Sequence, residues 1–323
     1  MERYRSLNSY LRETYGHKLY KIALDGGFTC PNRDGTVGSR GCIFCSGSGS
    51  GDFAESAECD VQAAIERGKA RVGSKNPGGK YIAYFQSFTS TYAPVEKLRR
   101  LFTAAMEHPD VEILSVATRP DCLGDEVIDL LRELNESKPV WVELGLQTIH
   151  PQTAAYIRRG YELPVFDEAV RRLKDAGIVV IVHMILGLPG ESAQMIFDTA
   201  DHIGRSGADG IKLQLLHILE GTDLAAEYRA GKIETLRPEE YLPLLAGCIE
   251  RLPESMTVHR LTGDGAKKDL LAPLWSGDKK RVLNAINRYF EEHDVRQGKK
   301  SFEPVGNGLD RSVSEELGVE LPP

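Results

Sequence analysis

The chain has 323 residues, of which 41% are hydrophobic and 27% are charged, as is typical of a globular protein with one large or two modest domains. Because no apolar run is long enough to span a bilayer and the first residues lead into no signal-like stretch, we expect a cytoplasmic protein with no role in a membrane. The net charge of −7 argues against indiscriminate binding to nucleic acid.

Apolar strand patterns and amphipathic helix patterns alternate through the first two thirds of the chain. The strand-like runs are residues 20–24, 80–85, 113–117, 140–146, 179–186 and 211–216. The helical patterns are residues 94–106, 125–134, 166–176 and 192–203. This alternation predicts a parallel sheet with helical crossovers, and about six units are too few for an eight-fold barrel. We therefore predict an α/β fold, a partial (β/α)6 TIM-like barrel, in residues 1–235.

The pattern changes after residue 235. Residues 236–303 are predicted to form a mostly helical C-terminal extension, with helices at 238–252 and 279–292 and a further strand at 258–261. The acidic segment 304–323 ends Pro-Pro, and we expect it to be disordered. Residues 256–300 carry ten Lys and Arg against six Asp and Glu, so this part of an acidic chain is basic.

Three cysteines near the start of the chain are its most informative chemical feature. Cys42 and Cys45 form a Cys-x2-Cys pair, and Cys30 lies twelve residues before it. Three thiolates can hold three irons of a [4Fe–4S] cluster and leave the fourth iron open for a ligand that is not protein. Zinc is the alternative, with His17 or Cys59 as fourth ligand, but structural zinc sites usually show two close ligand pairs. A disulfide framework is unexpected in a long chain without an export signal.

The cysteine spacing and several strand-end motifs together resemble radical S-adenosylmethionine (SAM) proteins of the YhcC/YtqA type, close to the Elp-three-like group. The motifs are Cys-x11-Cys-x2-Cys, Thr-Arg-Pro-Asp at 118–121, Glu-Leu-Gly-Leu-Gln at 143–147, Arg-Gly at 159–160 and Gly-Leu-Pro-Gly at 187–190. The resemblance implies that Cys30, Cys42 and Cys45 bind a [4Fe–4S] cluster and that SAM chelates its open iron. It also implies reductive cleavage of SAM to a 5′-deoxyadenosyl radical, with flavodoxin or ferredoxin as electron donor.

The same resemblance places one part of the SAM pocket around the cluster. Phe44 is expected to shield the cluster from water. Gln86 and Ser87 stand where the family has a glycine-rich segment whose backbone binds the methionine amino group. Arg159 matches an arginine suited to the methionine carboxylate. Arg119 is suited to bidentate binding of a carboxylate, with a simple turn before Pro120 as the alternative.

The rest of the pocket is expected along the later strands. Glu143 and Gln147 interrupt an otherwise apolar run, and buried polar groups need partners. The resemblance implies that both side chains face SAM. Gln147 is suited to bind the ribose hydroxyls, and Glu143 other polar groups of the cofactor. A purely structural network is the alternative. Leu186 and Gly187 are expected to contact adenine, and Leu216 or its neighbour Leu215 to pack against it.

The substrate is less well specified by the sequence. The closest analogy is wobble-uridine modification of tRNA, with the basic residues of 256–300 on phosphates and Trp275 or Tyr289 stacked on a flipped-out base. His217 follows the sixth strand and is a candidate substrate contact. A small-molecule substrate is one alternative. A non-catalytic iron–sulfur or zinc protein that binds RNA is another, and a solvated helical face would also explain the basic stretch.

Overall fold

Ten strands and ten helices are present in the computed structural model, which describes residues 2–49, 51–73, 79–263, 265 and 267–301. The strands are β1 (Leu19–Asp25), β2 (Glu55–Ser56), β3 (Lys80–Phe85), β4 (Val111–Thr118), β5 (Val140–Gln147), β6 (Val179–Leu186), β7 (Gly210–Leu215), β8 (Ile218–Leu219), β9 (Thr257–Arg260) and β10 (Leu270–Ala272). The helices are α1 (Leu7–Tyr15), α2 (Val61–Val72), α3 (Val95–Glu107), α4 (Asp125–Asn135), α5 (Pro151–Tyr156), α6 (Leu163–Asp175), α7 (Ala193–Arg205), α8 (Asp223–Arg229), α9 (Pro238–Arg251) and α10 (Lys279–Glu292).

Eight parallel strands form one half-barrel sheet in the order β2-β1-β3-β4-β5-β6-β7-β9, so the predicted α/β partial barrel is confirmed. All six predicted strands are present. The sheet has two more, because β2 is too short to leave a sequence pattern and β9 comes from the predicted extension. β9 pairs parallel with β7, and the division of the chain at residue 235 stays a prediction. The segment 304–323, predicted to be disordered, lies outside the described residues.

The inside of the barrel is built in two contrasting layers. At the amino ends of the strands, Leu11 of α1 packs on an apolar ring of inward-facing side chains, namely Leu19, Ile82, Ile113, Trp141 and Ile181. Inward positions recur every second residue along a strand. The next ring is therefore two residues further on, and we call it the polar layer: Lys21, Tyr84, Ser115, Glu143, His183 and Lys212.

The first residues of the chain close the barrel at its amino end. The main-chain carbonyl of Arg5 accepts from the N–H of Val258 (2.8 Å), and Ser6 forms a parallel bridge with the same residue. The Gln297 side chain accepts from the Arg5 N–H (2.8 Å). An early and a late segment of the chain thus meet beside β9. In the described part of the chain, no helix has the length and apolar character needed to cross a membrane.

Candidate active site

The loop between β1 and β2 brings the three predicted cluster ligands to one place. Cys30, Cys42 and Cys45 line a single cavity of about 290 Å³ at the carboxyl ends of the strands. The N–H of Cys45 donates to the Cys42 carbonyl (3.0 Å), which closes a tight turn. The Cys30 carbonyl accepts from the N–H of Arg33 (2.8 Å) and so starts a second turn. Both turns hold cysteines at the cavity wall.

Two polar side chains fix this loop to the barrel. Asn32 is buried, and its amide nitrogen donates to the carbonyls of Arg158 (2.7 Å) and Arg159 (3.2 Å). The same nitrogen lies 3.5 Å from the Cys42 sulfur. Arg33 donates to the Cys45 carbonyl (3.2 Å), which ties the two halves of the loop together. The thiols are therefore held in place by protein contacts alone.

The protonation of the cysteine thiols depends on whether a metal is bound. Burial raises the pKa of Cys42 to about 11 and also raises the pKa of Cys45. A bound metal reverses this preference because a coordinated thiol is deprotonated. Within the described residues, no three His, Cys, Asp or Glu side chains group around a single metal ion. His17 instead pairs with Glu112 (3.2 Å), and neither it nor Cys59 is among the cavity-lining residues.

Gln147 lies on the cavity wall at a break in the sheet. The pairing of β5 with β6 shifts between Gly145 and Gln147, which is a β-bulge. Gln147 has φ +66°, in the left-handed region that residues other than glycine rarely adopt. Phe88, at the end of β3, also lines the cavity and has φ +55°. Strained residues of this kind cluster at ligand sites.

Glu143 lies at the floor of the same cavity and is the centre of the polar layer. Its carboxylate contacts the ammonium groups of Lys21 and Lys212 and accepts from His183 (2.7 Å) and Ser115 (3.0 Å). Burial disfavours the charge, but Lys21, Lys212 and His183 outweigh it and hold the pKa of Glu143 well below its usual range. Glu143 thus has the structural network that the sequence left as an alternative, and the network itself borders the cavity.

Residues 34–203 match the radical SAM superfamily, and residues 208–292 match the radical SAM C-terminal domain. The chain belongs to the radical SAM superfamily. It is 48% identical to YtqA of Bacillus subtilis over 92% of each chain. A tRNA uridine(34) acetyltransferase of Methanocaldococcus jannaschii is 27% identical over 57% of this chain and 33% of its own. The solved Elp3 of Methanocaldococcus infernus shares the fold, with TM-score 0.65 and 19% identity over 86% of this chain and 64% of its own.

In this radical SAM fold, the two predicted carboxylate-binding arginines are engaged with protein atoms. Arg119 makes a bidentate pair with Asp121 (2.9 and 2.7 Å) and donates to the Arg159 carbonyl (2.7 Å). Arg159 donates to the carbonyls of Thr148 (2.5 Å) and Tyr161 (3.0 and 3.1 Å). Both line the cavity, and both hold main chain around the end of β5. Their role toward SAM stays a prediction.

The other predicted pocket residues divide into two groups. Phe44, Gln86 and Leu216 line the cavity, as Cys30, Cys42 and Cys45 do. Ser87 is not among the lining residues, because it is fully buried beneath Gly51 of the cysteine loop.

Leu186 and Gly187 are likewise absent from the lining. Leu186 is buried in the core between sheet and helices. Gly187 has φ +87°, and a Cβ there would lie 2.8 Å from Leu236. Ile185, one residue earlier on β6, faces the cavity instead. The side chain that faces the cavity at this strand end is therefore that of Ile185, and the contact to adenine stays a prediction.

The sequence analysis did not identify several of the residues that line the cavity. Phe88, Tyr161, Ile185 and Lys212 line the cavity and were not predicted. Strand periodicity alone predicts Ile185, because residues two apart on β6 share a face with His183. His217, a candidate substrate contact, also lines the cavity, where its ring nitrogens face the Gly265 N–H (3.2 Å) and the Ser276 hydroxyl (3.0 Å).

Proposed function

We propose that this radical SAM protein is an enzyme in which Cys30, Cys42 and Cys45 hold a [4Fe–4S] cluster and the adjoining cavity binds SAM. One observation carries the proposal: the three thiols share the wall of one cavity with Gln147. When bound and reduced, the cluster and SAM supply a 5′-deoxyadenosyl radical that abstracts hydrogen from the substrate. The electron comes from flavodoxin or ferredoxin, and the protein works in the cytoplasm.

The residues of the chain bind and orient in this proposal. The Gln147 amide can both donate to and accept from ribose hydroxyls. Phe44 and Leu216 present apolar surface that keeps water from the cluster and adenine. Arg119 and Arg159 supply positive charge near the methionine carboxylate while their N–H groups stay on protein partners. The cavity thus combines thiol ligands, polar anchors and apolar cover.

The test is SAM cleavage by the anaerobically reconstituted chain, with dithionite as reductant and 5′-deoxyadenosine measured by chromatography. We expect product from the wild type and a loss of at least a hundredfold in Cys45→Ala. Cys59→Ala is the matched control, because Cys59 is exposed and is not among the lining residues. A wild-type chain that incorporates iron and SAM but yields no 5′-deoxyadenosine would refute the proposed reaction.

For the substrate, we propose tRNA modified at the wobble uridine. One relative is named as a tRNA uridine(34) acetyltransferase. The first turn of α10 carries three exposed cations, Lys279, Lys280 and Arg281, and no acidic residue. This turn follows closely after Ser276, which contacts His217 on the cavity wall. Cations placed there can bind RNA phosphates beside the cavity.

Other residues of the basic stretch have protein partners. Lys300 pairs with Glu250 (2.5 Å) and Arg288 with Glu292 (2.7 Å). Trp275 donates to the Leu236 carbonyl (3.0 Å), and Tyr289 stacks on His293 (3.9 Å). The start of α10 is the part of the stretch with three consecutive exposed cations, and this exposure best supports RNA contact there.

The RNA proposal is tested by filter binding of unmodified tRNA at several salt concentrations. The double variant Lys280→Glu/Arg281→Glu should bind at least tenfold more weakly and show a shallower dependence on salt. Lys232→Glu, a single charge reversal at an exposed loop position after α8, is the control and should lower the affinity far less. Equal binding by all three proteins would contradict the α10 contact and favour a small-molecule substrate.

A further inference from the structure

The polar layer carries more positive charge than its carboxylate can balance. Lys21 and Lys212 both contact Glu143, and Lys212 also lines the cavity. Among the described lining residues, the carboxylates are Glu143 and Asp52, and Asp52 belongs to the cysteine loop at the opposite side. Its oxygen accepts from Ser48 of that loop (2.6 Å). Within the described polar layer, two lysines thus share one carboxylate.

The polar layer is not needed to fill the barrel. The ring directly below it is fully apolar, with Ile82, Ile113 and Ile181 completely buried, as is usual for a barrel interior. Burying Glu143 and Lys212 costs free energy that apolar residues of similar size would not cost. Lys212 is nonetheless almost fully buried and borders the cavity. The charged floor is explained if it faces a ligand.

The pKa values of three groups in the barrel are lowered by burial and by nearby cations. The pKa of His183 is lowered to about 4, first by burial and next by the Lys212 ammonium. The pKa of His259 is held well below its usual range by burial and then by Lys21. Burial also lowers the pKa of Lys212, although Glu143 opposes this. An anion at the floor would relieve all three groups.

Building on the proposed function, we propose that the floor binds an anionic oxygen group, a carboxylate or a phosphate, of the substrate. Lys212 is its principal donor. The ammonium contacts Glu143 and the Tyr84 hydroxyl (3.1 Å), which uses two of its three N–H donors. The anionic group of SAM, its carboxylate, belongs beside the cysteines in the proposed function. The group at the floor therefore belongs to a second molecule.

The test measures anion binding by the anaerobically reconstituted full chain, so it does not depend on SAM cleavage. The thermal unfolding midpoint is titrated with inorganic phosphate in one series and acetate in another, with ionic strength held constant by chloride. We expect a saturating rise, and the anion that saturates at lower concentration identifies the source as phosphate or carboxylate. Lys212→Met should weaken that binding at least tenfold, whereas Lys232→Met, at an exposed position, should match the wild type.

A second measurement uses only the wild-type chain, in case Lys212→Met does not fold. Acetic anhydride labels lysine amines, and peptide mass spectrometry reads each site. The saturating anion should slow labelling of Lys212 at least threefold and leave Lys232 unchanged. The inference is overturned if neither anion gives a saturable effect, or if Lys212 is not protected. SAM cleavage without anion binding would overturn this inference alone, and anion binding without SAM cleavage would overturn the proposed function alone.

Discussion

The side-chain amide of Asn32 donates to the main-chain carbonyl of Arg158 across 2.7 Å, and so joins the cysteine loop to the segment that follows α5. Arg158 has φ +58°, in the left-handed region, two residues before Gly160. The Cys42 sulfur lies 3.7 Å from the same oxygen. One carbonyl thus serves both the loop anchor and a predicted cluster ligand.

Asn32→Leu should loosen the cluster. The substitution keeps the branched shape of the side chain but removes the Asn32 donor from the Arg158 carbonyl, a loss of about 1–3 kcal/mol. The Arg159 carbonyl keeps its bond from Arg119. Hydrogen bonds to cluster sulfurs also tune the redox potential. We expect the variant to release iron to a chelator about tenfold faster than the wild type. The decrease in visible absorbance of the reconstituted protein measures this rate.

The matched control for this loss is Asn135→Leu. Asn135 also bridges main-chain groups, since it donates to the Gly177 carbonyl (3.2 Å) and accepts from the Val140 N–H (2.8 Å). It is not among the cavity-lining residues. Equal acceleration of iron release in both variants would mean that Asn32 acts through global stability and not through the cysteine loop.

Gln147→Gly should separate stability from SAM binding. Glycine removes the strain of the left-handed backbone, which costs about 1–3 kcal/mol. It also raises the conformational entropy of the unfolded chain, which lowers the stability by about 0.5–1 kcal/mol. The free energy of unfolding should therefore rise by about 1 kcal/mol, measured by urea titration. SAM affinity should fall about fivefold to tenfold because the ribose loses a hydrogen-bonding partner.

A second left-handed residue supplies the control for Gln147. Asp294 has φ +45° and lies after α10, where it pairs with Arg3 (3.2 Å). Asp294→Gly should leave the dissociation constant of SAM unchanged in equilibrium dialysis. If Gln147→Gly also binds SAM like the wild type, the side chain has no part in cofactor binding.

Glu143→Gln should be among the most destabilising single changes in the barrel. It leaves the ammonium groups of Lys21 and Lys212 facing each other without a carboxylate, which typically costs about 3–5 kcal/mol. Removing one cation as well relieves that repulsion. Glu143→Gln/Lys212→Met should therefore cost less than the sum of the two single changes by about 1–3 kcal/mol. Additive costs in urea unfolding would show that the two groups are not coupled.

The stability of the protein should fall in mild acid partly through His183. Its pKa in the folded chain is about 4, below the ordinary value of 6.5, so the unfolded chain binds the proton more readily. The stability that neutral His183 contributes is present above pH 6.5 and is lost as the pH falls toward 4. His183→Gln keeps a donor for Glu143 without that titration. The slope of unfolding free energy against pH should be smaller in the variant by about 1 kcal/mol per unit.

The control for this pH dependence is a histidine that lies outside the polar layer and lacks the charged neighbours of His183. Lys212 and Arg260 lower its pKa, and Glu143 opposes them. His202, partly buried on α7 and paired with Asp167 (2.7 Å), provides a histidine outside the barrel. An equal change of slope in His202→Gln and His183→Gln would contradict the assignment to the polar layer.

The parts of the fold that depend on repeating patterns were predictable from sequence. Apolar periodicity predicts β3 and β6 with their observed bounds, and α10 likewise. β2 could not be predicted, because two residues carry no period. The cysteine spacing predicts that the three thiols lie together, and the structure does bring Cys30 to the cavity that Cys42 and Cys45 line. Their role as cluster ligands stays a prediction.

The details of the site depend on three-dimensional contacts that sequence patterns do not specify. A motif at the end of β6 led to Leu186, yet strand alternation turns Ile185 to the cavity and Leu186 to the core. Glu143 and Gln147 read alike as polar residues in an apolar strand. The bulge at residues 145–147 then separates them, with Gln147 at the strand end and Glu143 among the lysines of the floor.

The meeting of Arg5 with Val258 has a consequence for synthesis on the ribosome. The apolar ring of Leu19, Ile82 and Ile113 is translated early, but the β9 segment beside it is translated after the other seven strands of the sheet. Until residue 258 has left the ribosome, the amino end of the barrel has no closing strand, and its apolar side chains are open to wrong contacts. Chaperone demand should therefore fall when the nascent chain passes that residue, and fall again when the core residues of α10 follow.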